Sequence, residues 1–441
     1  MLRDIIRKEI LDNILSPKFV FTFLLCTILV LLSIYTGITN YTAEKKQYDA
    51  SVALNRKIME GATGYLELRS AITVYKPPQV LGTIVNGVEE AVGRSASPGG
   101  SFEDSNLADS KYESSPIFAV FGPLDLMFIV KIVLSLFAIL FTYDAIVGEK
   151  ENGTLKLTLA NDVPRDRLIL GKAAGSFISL LMPLLVPLVF SLIILMFIPG
   201  LNLNSSDWLR LLLIFLMFFV YLLVFFSLEL FVSTRTSRSS TSFLILLCMW
   251  AVFVMIIPKG AVFAANRIEP IPSIHQITAK KRAFAYQLSM GSLDRLREME
   301  KRLKETQKTM GELMEEIRNE TAGKVEENNN ALEKDYQLRK TAQRNLAINL
   351  SRISPASALT FGSMSLARTG VDECDRFLAS VRAYNSDFEK WYNSKAYSYN
   401  TRTGRPPGVD LSDMPQHSIE PESLRDSLAR ALPDFALMIA L

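Results

Sequence analysis

The chain has 441 residues, of which 49% are hydrophobic and 21% charged, and it carries a formal net charge of +3. That small and mixed charge excludes the basic footprint of a nucleic-acid-binding protein. Three scattered cysteines (Cys26, Cys248, Cys374) and two distant histidines (His275, His417) exclude a disulfide framework or a metal centre of recognisable spacing. The apolar residues gather in blocks too long for the core helices of a soluble domain. A bilayer core of about 30 Å is crossed by about 20 apolar residues at about 1.5 Å each, and the blocks have that length.

In residues 1–18, Leu2, Ile5, Ile6, Ile10 and Ile14 recur at helical spacing among Arg3, Asp4, Arg7, Lys8, Glu9 and Asp12. The pattern predicts an amphipathic helix lying in the membrane interface, or else a positive flank of the first span. Ser16-Pro17 breaks it, since proline suits a helix start. The first span covers 19–38. A polar segment over 39–123 then holds a helix at roughly 41–60, a Tyr75-Lys76-Pro77-Pro78 turn and a Gly/Ser/Pro-rich linker from Ser95 to Ser115. Residues 124–263 carry four more spans, at roughly 124–147, 174–198, 208–232 and 241–263, with a charged loop at 148–172. Pro183 and Pro187 are expected to kink the third. Lys131 and Glu229 are ionisable groups inside spans, costly there and so functional candidates. Lys131 reads equally as snorkelling to the interface, and Glu229 as pairing with Arg235 or Arg238.

Residues 264–430 read as a mainly helical domain. Leu296, Met299, Leu303, Met310, Leu313 and Ile317 form a heptad seam. The polar run Glu326-Glu327-Asn328-Asn329-Asn330 then precedes a second periodic stretch with Leu332, Tyr336, Leu346, Leu350 and Ile353. The two stretches predict an antiparallel coiled-coil hairpin turning at 326–330. A further helix is expected over 372–395 and a loop from Asn400 to Met414. Residues 431–441 open a sixth apolar block at Leu432, read as the start of a sixth span cut short.

Basic residues mark alternate loops. Arg3, Arg7, Lys8 and Lys18 precede the first span, Lys150, Lys156, Arg165, Arg167 and Lys172 follow the second, and Arg235 and Arg238 follow the fourth. The loop Gly200–Asp207 has none. The amino terminus is therefore expected in the cytoplasm, with 39–123 and 264–430 outside. The first apolar block shows no small-residue cleavage site and reads as a retained span.

No catalytic constellation is legible. Gly171-Lys172 lacks the upstream glycine and following hydroxyl of a phosphate loop, and neither His-Glu-x-x-His nor Gly-x-Ser-x-Gly occurs. Any ATP-driven work must come from another chain. The informative stretch is Asp144, Glu149, Gly153, Thr154, Leu155, Pro164, Arg167, Leu168, Gly171 and Lys172. Physically it is a charged span end, an Asn152-Gly153 turn, a short amphipathic helix and a proline-led return to the bilayer.

That run resembles the signature of ABC-2-type ABC transporter permeases. The stretch from Ile353-Ser354-Pro355 to Phe377 resembles a subgroup with a large extracytoplasmic insertion before the last helix. The resemblance implies an all-α polytopic membrane protein of six transmembrane helices with a cytoplasmic amphipathic elbow helix. It implies a non-catalytic permease subunit in a plasma membrane (a bacterial inner membrane), working as an exporter. ATP would be bound by a separate ABC ATP-binding subunit, with no cofactor or metal here, and the dimer would be completed by a second copy or a related permease. Asp144, Glu149, Gly153, Thr154, Leu155, Pro164, Arg167, Gly171 and Lys172 would couple the permease to that ATPase. The alternative is a non-transporting membrane scaffold or sensor whose outer hairpin binds an extracytoplasmic partner. A membrane-embedded enzyme would require a convergent polar cluster that the sequence lacks.

Overall fold

The computed structural model describes residues 2–97, 124–154, 160, 164–198, 201, 203–290, 310–400 and 409–440. Helices dominate; the sheet among the described residues is one antiparallel pair, β1 (Val74–Tyr75) and β2 (Ser95–Ala96), with Val74 opposite Ala96. Among the described residues, five helices are long and apolar enough to cross a membrane: Pro17–Glu60 (α2), Leu126–Glu151 (α3), Asp166–Met196 (within α4, which starts at Arg165), Ser205–Arg235 (α5) and Ser239–Ile268 (α6). A separate helix, α1 (Leu2–Ile14), precedes them.

Local chemistry fixes the starts. The Ser16 hydroxyl accepts from Phe19 N at 3.2 Å and Pro17 occupies the first turn, so α2 restarts where α1 ends. Asp125 caps α3 by accepting from Phe128 N at 2.7 Å. Asn204 and Asp207 form a reciprocal capping box on α5. The 41–60 helix and the first span are one helix of 44 residues, about 66 Å long. α4 continues through Pro183 and Pro187. α3 and α6 each contain a π-helical stretch, Ile129–Leu134 and Val252–Ile256, the wider winding often found at functional positions.

The chain divides into two units. The first comprises residues 2–257 with 352–440. Its core is built around α5, whose Leu211, Ile214, Met217, Phe218, Tyr221, Leu222 and Phe225 are buried at three- and four-residue spacing. Against it pack Phe177 of α4, Leu134 and Phe137 of α3, and two later helices, α9 (Pro355–Ala367) and α11 (Leu424–Ala440). Val20, Phe21, Leu24, Ile28, Leu31 and Leu32 of α2 are exposed apolar residues, a surface suited to lipid. A smaller core lies beside the sheet, where Leu68, Ile72 and Val74 meet Phe377, Tyr384, Phe388 and Trp391 of α10 (Val371–Asn400).

The second unit, residues 258–351, corrects the expected hairpin. No turn occurs at 326–330; α8 runs unbroken from Met310 to Ser351. Its partner is α7 (Ile274–Met290), antiparallel to it, with Lys281 against Glu333 at 3.3 Å and Gln343 donating to Asn266 and to Glu269 O at 3.1 and 2.8 Å. Leu296, Met299 and Leu303 of the expected seam lie outside the described residues, as do most of the Ser95–Ser115 linker and residues 401–408. Residues 352–440 group with the spans rather than with 258–351. The reason is visible in α9, whose small residues Ala356, Ser357, Ala358, Gly362 and Ser363 are buried. Ser354 donates its hydroxyl to Phe253 O in α6.

Candidate functional site

The charged loop is fastened to the bundle on two sides. On one side it is tied to the end of α5 and the start of α6. The Ser233 hydroxyl accepts from Ile146 N and Val147 N and donates to Tyr143 O, each at 3.4 Å. Lys150 donates to the Thr234 carbonyl and, at 3.4 Å, to Thr236 O. Glu151 accepts from Ser239 N at 3.1 Å and its hydroxyl at 2.7 Å, placing an acid at the α6 amino end, where the helix dipole favours it.

On the other side it meets α1, α2 and α4. Lys18 of α2 pairs with Asp144 at 2.7 Å and lies 4.6 Å from the centre of the Tyr143 ring. Lys172 of α4 stands between two carboxylates, Glu149 at 2.9 Å and Glu9 of α1 at 3.4 Å, and also donates to Ala145 O at 3.4 Å. Gly171 and Gly175, four residues apart on one face of α4, let α1 approach: a Cβ at either would stand 2.6 Å from Ile5 or Glu9. Ser176 accepts from Asn13 Nδ2 at 3.3 Å and donates to Glu9 at 3.1 Å.

Asp144, Glu149, Gly171 and Lys172 are thus brought together. Gly153 turns the chain beyond them with φ +75°, a conformation that glycine adopts without strain. Thr154, Pro164 and Arg167 are exposed, and the Thr154 hydroxyl donates to Glu149 O at 3.3 Å. Leu155 lies outside the described residues. Glu9, Lys18 and Ser233 complete the site and were not singled out by the motif. The signal for the α1 contact was the four-residue glycine spacing at 171 and 175.

The two ionisable span residues have other neighbours. Glu229, 3% exposed, does not pair with Arg235 or Arg238; it accepts from the Thr142 hydroxyl of α3 at 3.0 Å. Its place in α5 puts it one helical turn before Ser233, facing α3, while Arg235 lies over the Phe231 ring at 5.3 Å. Lys131, in the π-helical stretch, turns to the Thr360 hydroxyl of α9 at 3.4 Å. Its carbonyl accepts from the Tyr221 and Ser135 hydroxyls at 2.8 and 2.6 Å.

The profile of the ABC-2 family transporter proteins matches residues 3–379. The chain belongs to the ABC-2 family. No curated protein matches it. As an ABC-2 family member it is an integral membrane permease of an ABC transporter, a generally non-catalytic component whose class works with an ABC ATP-binding partner. The family match covers the loop, all five long apolar helices and α9, and ends within α10.

Proposed function

We propose that residues 148–172 couple this permease to a separate ATP-binding subunit, with α1 as the elbow helix beside them. The observation that carries the reading is Lys172, which joins Glu149 of the loop to Glu9 of α1 from a position on α4. A displacement of the loop is thereby passed to two helices together. Glu149 Oε2 is buried and has no hydrogen-bond partner among the described residues, so it keeps an acceptor to offer. Asp144 anchors the loop to α2 and Gly153 turns it, while Thr154, Leu155, Pro164 and Arg167 form the face toward the ATPase. ATP is bound by that partner, and this chain needs no cofactor.

The working unit is a dimer with a second copy or a related permease, exporting its substrate across a bacterial inner membrane. The loop charges support a cytoplasmic amino terminus. Residues 39–123 and 264–430 are then outside, with the α7–α8 pair offered to an extracytoplasmic partner, and α11 begins a sixth span. The length of that pair is also what favours the scaffold alternative.

The test is co-expression with the ATP-binding subunit. Glu149→Ala and Gly153→Val leave expression and membrane insertion intact, while coupling of ATP hydrolysis to the permease falls at least about tenfold. That is the scale for loss of one member of a buried interfacial pair, about 2 kcal/mol or more. Lys131→Met leaves assembly with the subunit untouched. Loop variants that couple like the parent chain make the loop a mere connector.

A further inference from the structure

Beyond the apolar half of α2 lies a cavity of about 350 Å³, within the size range of small-molecule sites. Its wall includes Ser33 and Glu44 of α2, Glu89, Arg94 and the α3 cap Asp125. Three of these are carboxylates and one a guanidinium. Arg94 is already committed, at 2.6 Å from Glu44 and 3.2 Å from Glu89. Lys76 pairs with Glu89 in a buried contact. The two bases thus offset Glu44 and Glu89, and Asp125 remains.

Asp125 is 5% exposed and its oxygens accept from Phe128 N at 2.7 Å and Asn86 N at 2.9 Å. Among the described residues no Lys or Arg pairs with it, and Lys131, the base six residues on, is directed to Thr360. A buried carboxylate held by amides alone calls for a counter-charge. Ser33 supplies an independent sign. It is 1% exposed, lines the same cavity, and its hydroxyl has no hydrogen-bond partner among the described residues. Hydroxyls in a helix ordinarily bond back to the preceding turn, as Thr36 does to Leu32 O at 3.0 Å; Ser33 does not. Ordered water satisfies a hydroxyl but brings no charge, and Lys131 acts on Asp125 through space without an ion pair to it.

We propose that this cavity binds a small organic cation, an ammonium compound whose charge lies against Asp125 and whose polar end reaches Ser33. The inference stands on this cavity alone and does not rest on the coupling loop. Proton and cation compete for Asp125. Burial raises its carboxyl to about 6, opposed by the Phe128 and Asn86 amides and the Lys131 charge. Glu44, Glu89 and Arg94 face the cavity as a mutually paired set, so Asp125 sets the pH dependence, and cation affinity rises as pH climbs through about 6.

The experiment uses the full chain in detergent, with choline and a short diamine as probes and calorimetry as the readout. The neutral control is the choline isostere in which carbon replaces nitrogen. A probe ammonium binds saturably at about pH 7.5 and at least about tenfold more weakly at about pH 5, in Asp125→Asn, and for the isostere. Ser33→Ala weakens binding without lowering the melting temperature of the empty chain. The pH titration of the unmodified chain decides the matter if Asp125→Asn does not fold. Failure of both probes to bind, or equal binding of the isostere, or affinity indifferent to pH, leaves a water-filled cavity only and overturns the proposal.

Discussion

His417 shows how a single group connects pH to packing in the small core beside the sheet. Its Nε2 lies 3.0 Å from the Ser380 hydroxyl, and its ring stands edge-on to Tyr384 and Phe377 at 5.6 and 6.0 Å. Burial lowers its pKa below the usual histidine value, so the neutral ring is the form that fits. The unfolded chain binds the extra proton more readily, and the contribution of His417 is therefore present above about pH 6.5 and lost on acidification. Trp391 reports on the same core, donating to Asp413 at 3.1 Å. Its fluorescence should shift as pH falls through that range, and His417→Asn should remove the step; a pH-independent signal in the parent chain contradicts the assignment. At this scale the family resemblance supplied the loop residues, and their contacts came only with the structure. Asp144, Glu149, Gly153, Gly171 and Lys172 are among them, and four of the five join one site. Glu9 and Ser233 were hidden because their roles depend on helices meeting, which no local pattern states.

At the scale of elements, apolar blocks predicted the five long helices, because a bilayer demands both length and hydrophobicity. The hairpin was misread for a related reason. The polar run predicts a turn, yet Glu326 to Asn330 includes no proline or glycine, and a helix interior accepts Glu and Asn at small cost. The distinction is testable. Asn328→Pro is interior to α8, removes a backbone donor and should cost about 3 kcal/mol with a clear loss of helical circular dichroism. Unchanged helicity and melting would restore the turn. The packing of α9 into the span bundle was not readable for the opposite reason. Its 13 residues are too few for a span, and its small side chains bury by close approach: a Cβ on Gly362 would stand 2.3 Å from Met217 Cε.

For the whole molecule the decisive measurement is sidedness. The exposed native Cys248 is first replaced by serine, and Ser110→Cys and Ser237→Cys are introduced separately. Intact cells treated with an impermeant thiol reagent should label position 110 and spare 237 until the membrane is opened. The reverse pattern would invert the topology and, with it, the assignment of the loop to the ATPase side. Length and hydropathy made the membrane-spanning class readable, and the loop motif the family. The association of residues 352–440 with the spans was not, because it is set by contacts across long separations.

Arg210 gives those separations a consequence in time. It is 1% exposed in α5, and it donates to Leu366 O at 3.1 Å, to the Ser427 hydroxyl at 2.7 Å and to Glu422 O at 2.7 Å. These partners lie 156, 217 and 212 residues further along. At about 5–20 residues per second, the ribosome needs on the order of ten seconds or more after making Arg210 to supply them. Throughout that interval the nascent chain holds a guanidinium without its acceptors and a face of α5 without its cover. Maturation is therefore sequential: the first five long helices enter the membrane as a half-finished object, and the late arrival of α9 and α11 seals it. A chain stalled before Pro355 would carry an open, charged groove of the kind that membrane quality control removes.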